Sequence, residues 1–426
     1  MLQIHAWSHT DVGRKRKHNE DFLLVDPSVG LFGVADGMGG YEAGEVASKM
    51  VLEGLQQKLR ERPELFSDLA PPGTSEKYRR DVRDFLDRSV QELSYQIFSM
   101  AQRQGGDFRM GTTLCALVTL KNIAAVIHVG DSRCYLWRTG QVYQATEDHS
   151  LVVEQLKSGV ITPEEAASSR YKNVITRAVG MADRLQVDLF FVDLQAGDRF
   201  LLCSDGLHGY FRGDELGHYL AQDELAIIPR QLIDLANQRG GKDNITGIVV
   251  SVEGDEEADF VRQDTQISTG VHVLRSNPLF ASMTYPEILK TLPLTLQREF
   301  GPGDVVMREG DPATHMYIVE DGSLDIFREG ELIANLQSGS YVGEMGIFDR
   351  EPCSATVIAR EPTRCLAMAG DALMSLLRQE PDIGFKIQQS LIVALSQRLR
   401  DTSHALAWTR QEWRRSIPQG IEPPSQ

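Results

Sequence analysis

The chain has 426 residues, 42% hydrophobic and 24% charged, with 44 basic against 60 acidic side chains and a net charge of −16. That length exceeds a single hydrophobic core and predicts two or three domains. The acidic balance argues against nonspecific nucleic-acid binding, which needs a basic footprint, and no apolar run approaches the roughly 18 to 20 residues of a membrane span. The start, Met1-Leu2-Gln3-Ile4-His5, lacks the basic head and apolar middle of a signal peptide. Five scattered cysteines form no Cys-x-x-Cys pair and read as reduced thiols of a cytoplasmic protein.

In chain order, Thr10–Asp21 places four consecutive basic residues, Arg14 to Lys17, just before the acids Glu20 and Asp21. An Arg in this run suits phosphate, because its planar fork can hold two oxygens of one phosphoryl group. The apolar run Leu31–Ala35 predicts a buried strand that ends at Asp36 and a glycine-rich turn, Gly37-Met38-Gly39-Gly40. Helical spacing follows over Glu42–Arg60, with Ala47, Val51, Leu55 and Leu59 on one face. It recurs over Asp81–Gln102, with Val82, Leu86, Val90, Leu93 and Ile97, and a loop around Pro71-Pro72 lies between.

Thr112–Leu120 and Ile123–Val129 read as strands, the second ending in Gly130-Asp131-Ser132-Arg133. Phe200–Ser204 runs into Asp205-Gly206, and Asp243-Asn244 opens a strand over Ile245–Val252. Four aspartates, at 36, 131, 205 and 243, therefore stand at the ends of apolar strands. If those ends meet, the carboxylates form one cluster. Two like charges about 4 Å apart repel by roughly 4 kcal/mol at an effective dielectric of 20, so raised pKa values or bound cations must relieve them. Every candidate ligand is an oxygen donor, which favours Mg²⁺ or Mn²⁺ over Zn²⁺. Two such cations would activate a water and clamp a phosphoryl group, with Arg16 as its anchor.

Taken together, these segments resemble the metal-dependent serine/threonine protein phosphatases of type 2C. The resemblance spans roughly residues 5 to 253. It rests on an ordered series: Asp11-x-Gly13-x-x-Arg16-x-x-Asn19-Glu20-Asp21, Asp36-Gly37-Met38-Gly39-Gly40, Gly111-Thr112-Thr113, Gly130-Asp131-Ser132-Arg133, Asp148-His149-Ser150, Thr176-Arg177-Ala178-Val179-Gly180, Ser204-Asp205-Gly206-Leu207 and Asp243-Asn244-Ile245-Thr246. It implies an α+β, four-layer α-β-β-α sandwich. It also implies that Asp36 bridges two Mn or Mg ions, with the Gly37 carbonyl on one and Asp205 and Asp243 on the other. Glu20 and Asp21 would act mainly through waters, and Asp131 with Asp205 would hold a third, weaker ion. The implied substrates are phosphoserine and phosphothreonine in proteins, the targets of a Ser/Thr kinase, attacked directly by activated water. The alternative is a non-catalytic phosphoprotein-binding sensor or scaffold.

Two departures from the family stand out. Many eukaryotic members carry His after the Asp-Gly, proposed as the general acid, and this chain has Met38, which holds no proton to give. The segment from about Asp148 to Arg177 resembles the family's mobile flap, with Ser169-Arg170 where bacterial members often have His-Pro. No cysteine has the Arg at the offset a cysteine-based phosphatase needs, and Cys203 reads as core. His149 reads as structural, and His5, His9, His18 and His128 have no ligand-like spacing.

Residues 254–274 read as an acidic and polar linker. Beyond it, turns alternate with short strands, which suggests an antiparallel roll with flanking helices over 275–400 and a tail over 401–426. This part resembles a cyclic-nucleotide-binding domain. Gly303, Gly310 and Gly322 match its turns, and Gly343-Glu344-Met345-Gly346-Ile347 followed by Pro352-Cys353-Ser354-Ala355-Thr356-Val357 matches its phosphate-binding cassette. The resemblance implies that Glu344 binds a ribose hydroxyl, while Gly343, Ser354 and Ala355 line the rest of the cassette. The usual Arg after the Pro is Cys353, and a thiol cannot replace a charge-assisted bidentate contact. The domain thus reads either as a cAMP or cGMP site, with Arg350 nearby, or as a roll kept for docking or for a homodimer. Helical spacing closes it, with Ile387, Leu391, Leu395 and Leu399 on one face after Pro381.

Overall fold

The computed structural model describes residues 2–39, 42–65, 75–104, 110–211, 214–254 and 270–416. Gly40, the Pro71-Pro72 loop, most of the linker and residues 417–426 lie outside them. The chain divides into two compact units, Met1–Asp264 with Thr284–Pro286, and Thr265–Met283 with Glu287–Gln426.

The first unit is two antiparallel sheets between helices. One sheet runs in the order β1 (Gln3–Asp11), β11 (Ile245–Glu253), β10 (Arg199–Cys203), β7 (Arg133–Arg138) and β8 (Gln141–Gln144). The other runs β2 (Asp21–Asp26), β3 (Leu31–Met38), β5 (Leu114–Leu120), β6 (Ile123–Val129) and β9 (Asp188–Asp193), with the short β4 (Gly111–Thr112) also paired to β3. Alternation sorts the strand residues. Leu114, Ala116 and Val118 join the core under α1 (Glu42–Arg60) and α2 (Glu76–Gln104). Phe32, Val34 and Leu117 are fully buried on the opposite face, and β3 and β5 meet β10 and β7 of the other sheet. Short helices α3 (Leu151–Lys157) and α4 (Pro163–Ser168) form the flap segment, and α5 (Asp205–His208) follows β10. The far face is covered by α6 (Glu215–Leu220) and α7 (Ile228–Gln238), whose Leu232, Ile233 and Ala236 pack with Leu201 and Val249.

Helix α1 has the predicted bounds, whereas α2 starts five residues earlier and ends two later. The predicted strand over Thr112–Leu120 is broken at Thr113, for a reason that belongs to the site. Strands β1 and β2 were not predicted from the sequence. The outer face of β1 is exposed and polar, so it lacks an apolar signature. All five cysteines are buried and unbridged, Cys203 among them.

The second unit has two four-stranded antiparallel sheets. One is β12 (Thr295–Phe300), β19 (Thr363–Ala369), β14 (His315–Asp321) and β17 (Tyr341–Val342). The other is β13 (Val305–Met307), β18 (Thr356–Ala359), β15 (Ser323–Arg328) and β16 (Glu331–Gln337). Val319, Leu324, Val357 and Cys365 form the core of this roll. Flanking it are α8 (270–276), α9 (Tyr285–Thr291), α10 (Glu344–Asp349), α11 (Gly370–Gln379) and α12 (Pro381–Ser416). Helix α8 begins inside the stretch read as linker, and α12 continues sixteen residues past position 400. Pro381 opens α12, where a proline's missing N–H costs nothing.

Leu52 of α1 sits directly on Gly33 of β3, where an added Cβ would lie 2.5 Å from its Cδ2. Leu52→Ala should therefore leave a cavity and destabilise the first unit by about 2–5 kcal/mol, measured as an earlier urea transition of the full chain.

Candidate active site

Backbone pairing sets the centre. Asp21 and Asp36 are directly opposed across β2 and β3, so Asp36 lies within a strand that continues to Met38, rather than at its end. The break at Thr113 grips this residue. Asp36 donates its N–H to Thr113 Oγ1 at 2.8 Å, and its carbonyl accepts from Thr113 N–H at 2.9 Å and Thr112 Oγ1 at 2.9 Å. Gly37 is required by close approach, since a Cβ there would fall 2.1 Å from the Gly44 carbonyl and 2.7 Å from that of Glu20.

Asp21 is held by hydroxyls from the other sheet. Its Oδ2 accepts from Ser204 Oγ at 2.8 Å and Thr246 Oγ1 at 2.6 Å, while Oδ1 is buried without a partner. Asp205 opens α5, and its Oδ1 is likewise buried and unpartnered. Gly206 packs so tightly on the Asn244 carbonyl that a Cβ would come within 1.9 Å. Asp243 takes Arg16 Nη2 on Oδ2 at 2.8 Å and the Asn244 N–H on Oδ1 at 2.9 Å. Asn244 also ties the basic loop down, accepting from Glu20 N–H and donating to the Val12 and His18 carbonyls.

The electrostatics follow from this crowding. Burial, then the charges of Asp21, Asp205, Asp131 and Asp243, push the Asp36 carboxyl far above the usual range. Burial also raises Asp21, Asp205 and Glu20. Asp131 is pushed up to about 7 by burial and by Asp205 and Asp148. Six acids predicted as ligands, Glu20, Asp21, Asp36, Asp131, Asp205 and Asp243, thus act on one another, with Arg16 on the rim and about half exposed. Sequence reasoning did not assign roles to Ser204, Thr246, Thr112, Thr113 or Asn244. Their signal was polarity inside otherwise apolar runs, which a buried partner must explain.

The flap base is tied to the Asp131 turn. His149 N–H donates to the Gly130 carbonyl at 2.8 Å, and Gly130 N–H donates to His149 Nδ1 at 3.1 Å. The other ring nitrogen therefore carries the proton and faces Asp188 Oδ2 at 3.1 Å, while Arg177 holds Asp188 Oδ1 at 3.2 Å. With His128, these residues bring one ligand-type atom each within 4.8 Å of one another. His149 Nδ1 already accepts from Gly130, and Asp188 already faces the His149 Nε2–H and the Arg177 guanidinium, so the group reads as an orienting network. His149 was read from the sequence as structural, and its contacts here are with the Gly130 backbone and Asp188.

In the second unit, Gly343 takes φ +89° and caps α10. Glu344 is almost wholly buried and accepts from Arg398 of α12 at 2.6 Å, and Arg398 lies 5.1 Å over the Tyr341 ring. Ser354 and Ala355 form the bend that leads into β18. Cys353 is buried and bound through its backbone to Asp311 and Gly310, while Arg350 is exposed with φ +64°.

An α-β-β-α sandwich whose central strands converge on an all-oxygen acidic centre beside an arginine is the architecture of a metal-dependent phosphatase. Residues 10–240 match the protein phosphatase 2C model, and the chain belongs to that family. Residues 297–380 match the model of the cyclic nucleotide-binding domain. Protein phosphatase PhpP of Streptococcus pneumoniae is 38% identical over 254 residues, 58% of this chain and 97% of that protein. The solved S. agalactiae serine/threonine phosphatase is 35% identical, with a TM-score of 0.53 over 59% of this chain and 100% of its own. The catalytic domain of the phosphatase PstP, in complex with 2 manganese ions, is 34% identical with a TM-score of 0.50, covering 60% of this chain and 100% of its own. No helix among the described residues is long and apolar enough to cross a membrane.

Raised carboxyl pKa values have a sign. Such a group stabilises the fold below its unfolded pKa, and the contribution is lost as pH rises through the folded value. In metal-free protein, Asp36→Asn should therefore raise the unfolding temperature at pH 8 and do so much less at pH 5, measured by scanning calorimetry in chelator.

Proposed function

We propose that the chain hydrolyses phosphoserine and phosphothreonine in proteins, using divalent cations held by the acidic centre of its first unit. The carrying observation is a set of buried carboxylates with unpartnered oxygens, Asp21 Oδ1 and Asp205 Oδ1, beside a half-exposed Arg16. Oxygen-only donors whose mutual repulsion needs a counter-charge fit Mn²⁺ or Mg²⁺. Asp36 would serve two ions, with the Gly37 carbonyl on one side and Asp205 and Asp243 on the other. Glu20 and Asp21 would sit outside them, and Asp131 with Asp205 would hold a third. Bound there, the cations would supply the charge that activates a water and neutralises the phosphoryl group. The relatives' printed serine/threonine phosphatase names and the manganese complex of PstP support this reading.

The chain's own groups do the positioning. Asp243 orients the half-exposed Arg16 guanidinium, which would bind substrate phosphate with its remaining N–H groups. Thr112 and Thr113 hold the Asp36 backbone, and Ser204 and Thr246 take one oxygen of Asp21 so that the other is left for the centre. Substrates would be phosphoproteins met in the cytoplasm.

Turnover of a phosphothreonine peptide should require Mn²⁺ or Mg²⁺. Asp36→Asn should lower kcat by at least about a hundredfold, the scale of one strong electrostatic element. Arg16→Ala should lower kcat/KM by about 10- to 100-fold, as for a lost charged hydrogen bond. No metal-dependent turnover, with phosphopeptide binding retained, would instead make the domain a sensor.

The second unit is read as regulatory, by nucleotide binding or by pairing two copies. A nucleotide hydroxyl would have to share Glu344 with Arg398, and the cassette supplies no arginine at Cys353. If cAMP or cGMP binds, an excess of about a hundredfold over Kd adds about 2.7 kcal/mol to stability. A thermal shift with millimolar nucleotide checks this, and sedimentation of the full chain checks the homodimer.

A further inference from the structure

The turn that carries Asp131 is gripped by three imidazoles. Gly130, at φ +106°, gives its N–H to His149 Nδ1. His128 Nε2 lies 2.9 Å from the Ser132 carbonyl, and His208 Nε2 lies 2.9 Å from the Asp131 carbonyl. A carbonyl only accepts, so His128 and His208 both carry their proton on Nε2. Burial draws their pKa values down to about 4 and about 3, which keeps both rings neutral.

His208 differs from the other two in where it comes from. It closes α5, the four-residue helix that opens with Asp205. One imidazole therefore joins the main chain at Asp131 to the helix that carries Asp205, and these are two carboxylates that repel each other. A single helical turn has few internal hydrogen bonds to set its direction. Its inner side is anchored by the fully buried Leu207 and the tight Gly206–Asn244 contact. The His208 hydrogen bond fixes the side that faces Asp131.

We propose that His208 is a positioning residue, whose Nε2–H bond to the Asp131 carbonyl sets the separation of the Asp131 and Asp205 carboxylates and so the affinity of the cation they share. The inference rests on the reading of those two acids as ligands of the third, weaker ion. Hard cations tolerate only a narrow range of oxygen distances, so a small drift of α5 against the turn is felt as lost affinity. The remaining ions, centred on Asp36, also rest on the Thr112–Thr113 clamp and on Asp243 and so are touched less by this bond, although one of them would share Asp205.

Calorimetric titration of Mn²⁺ into the metal-free full chain tests it, with wild type, His208→Phe, His208→Gln and Asp131→Asn side by side. Wild type should show tight binding and one weaker event. His208→Phe should weaken the weaker event by about 10- to 100-fold, the scale of a lost outer-shell partner, and leave the tight events within about twofold. His208→Gln, whose amide N–H can reach the same carbonyl, should restore most of the loss. Asp131→Asn should abolish the weaker event. His208→Leu replaces the phenylalanine variant if the latter shows no cooperative metal-free unfolding. A weaker event unchanged in the apolar variant, a parallel loss of all events, or no rescue by glutamine overturns the proposal. If Asp131→Asn removes the event while the apolar variant keeps it, only the role of His208 falls. If Asp131→Asn leaves it intact, or wild type lacks it, the third-ion reading falls as well.

Discussion

Mutual repulsion among buried carboxylates is the constraint on which the first unit depends. Four aspartates, Asp21, Asp36, Asp131 and Asp205, sit where water is largely excluded, and the fold holds them there through groups that do not neutralise them. Backbone pairing opposes Asp21 to Asp36, and threonine and serine hydroxyls lock their positions. Hydroxyls orient an oxygen without cancelling its charge. The result is a rigid site whose unmet need is positive charge, which is the condition for binding hard cations in a defined geometry. The two sheets pack around this need, since β2 and β3 come from one and Ser204 and Thr246 from the edges of β10 and β11 in the other.

Much of this was legible. Asp36, Asp131 and Asp205 were read as following apolar strands and Asp243 as opening one, so the pattern made a shared centre conditional on those ends meeting. The pairing of Asp205 with Asp243 came from the family resemblance. The basic run Arg14–Lys17 was legible as chemistry, but the neighbouring β1 was not legible as a strand, because its outer face is exposed and polar. The supporting polar residues were hidden for a different reason. Thr113 and Thr246 suit a β-strand by propensity, so nothing local distinguishes a strand threonine from one that clamps an aspartate. His208 was missed because its partner is a backbone atom 77 residues away, which no side-chain spacing encodes.

The second unit shows how far a motif carries. The turn glycines and the cassette glutamate were readable, and the roll they imply is present. What the motif could not show is that the glutamate is already engaged. Arg398 lies 54 residues beyond Glu344, on a helix read as one aliphatic face of Ile387, Leu391, Leu395 and Leu399, of which the last two are exposed. The charge missing at position 353 and the charge present at position 398 are separate facts, and the structure brings only the second to the cassette glutamate.

The direct opposition of Asp21 and Asp36 has a consequence for assembly of the fold. Side chains alternate along a strand, so a slip of β2 by one residue would turn Asp21 to the other face and set Phe22 in its place. An apolar ring opposite Asp36 would supply no oxygen, and Ser204 and Thr246 would lose their acceptor. On the proposed reading of the centre, cation capture would depend on strand register, and metal stoichiometry would report whether β2 has paired correctly with β3. The site would then act as a check on the sheet that builds it.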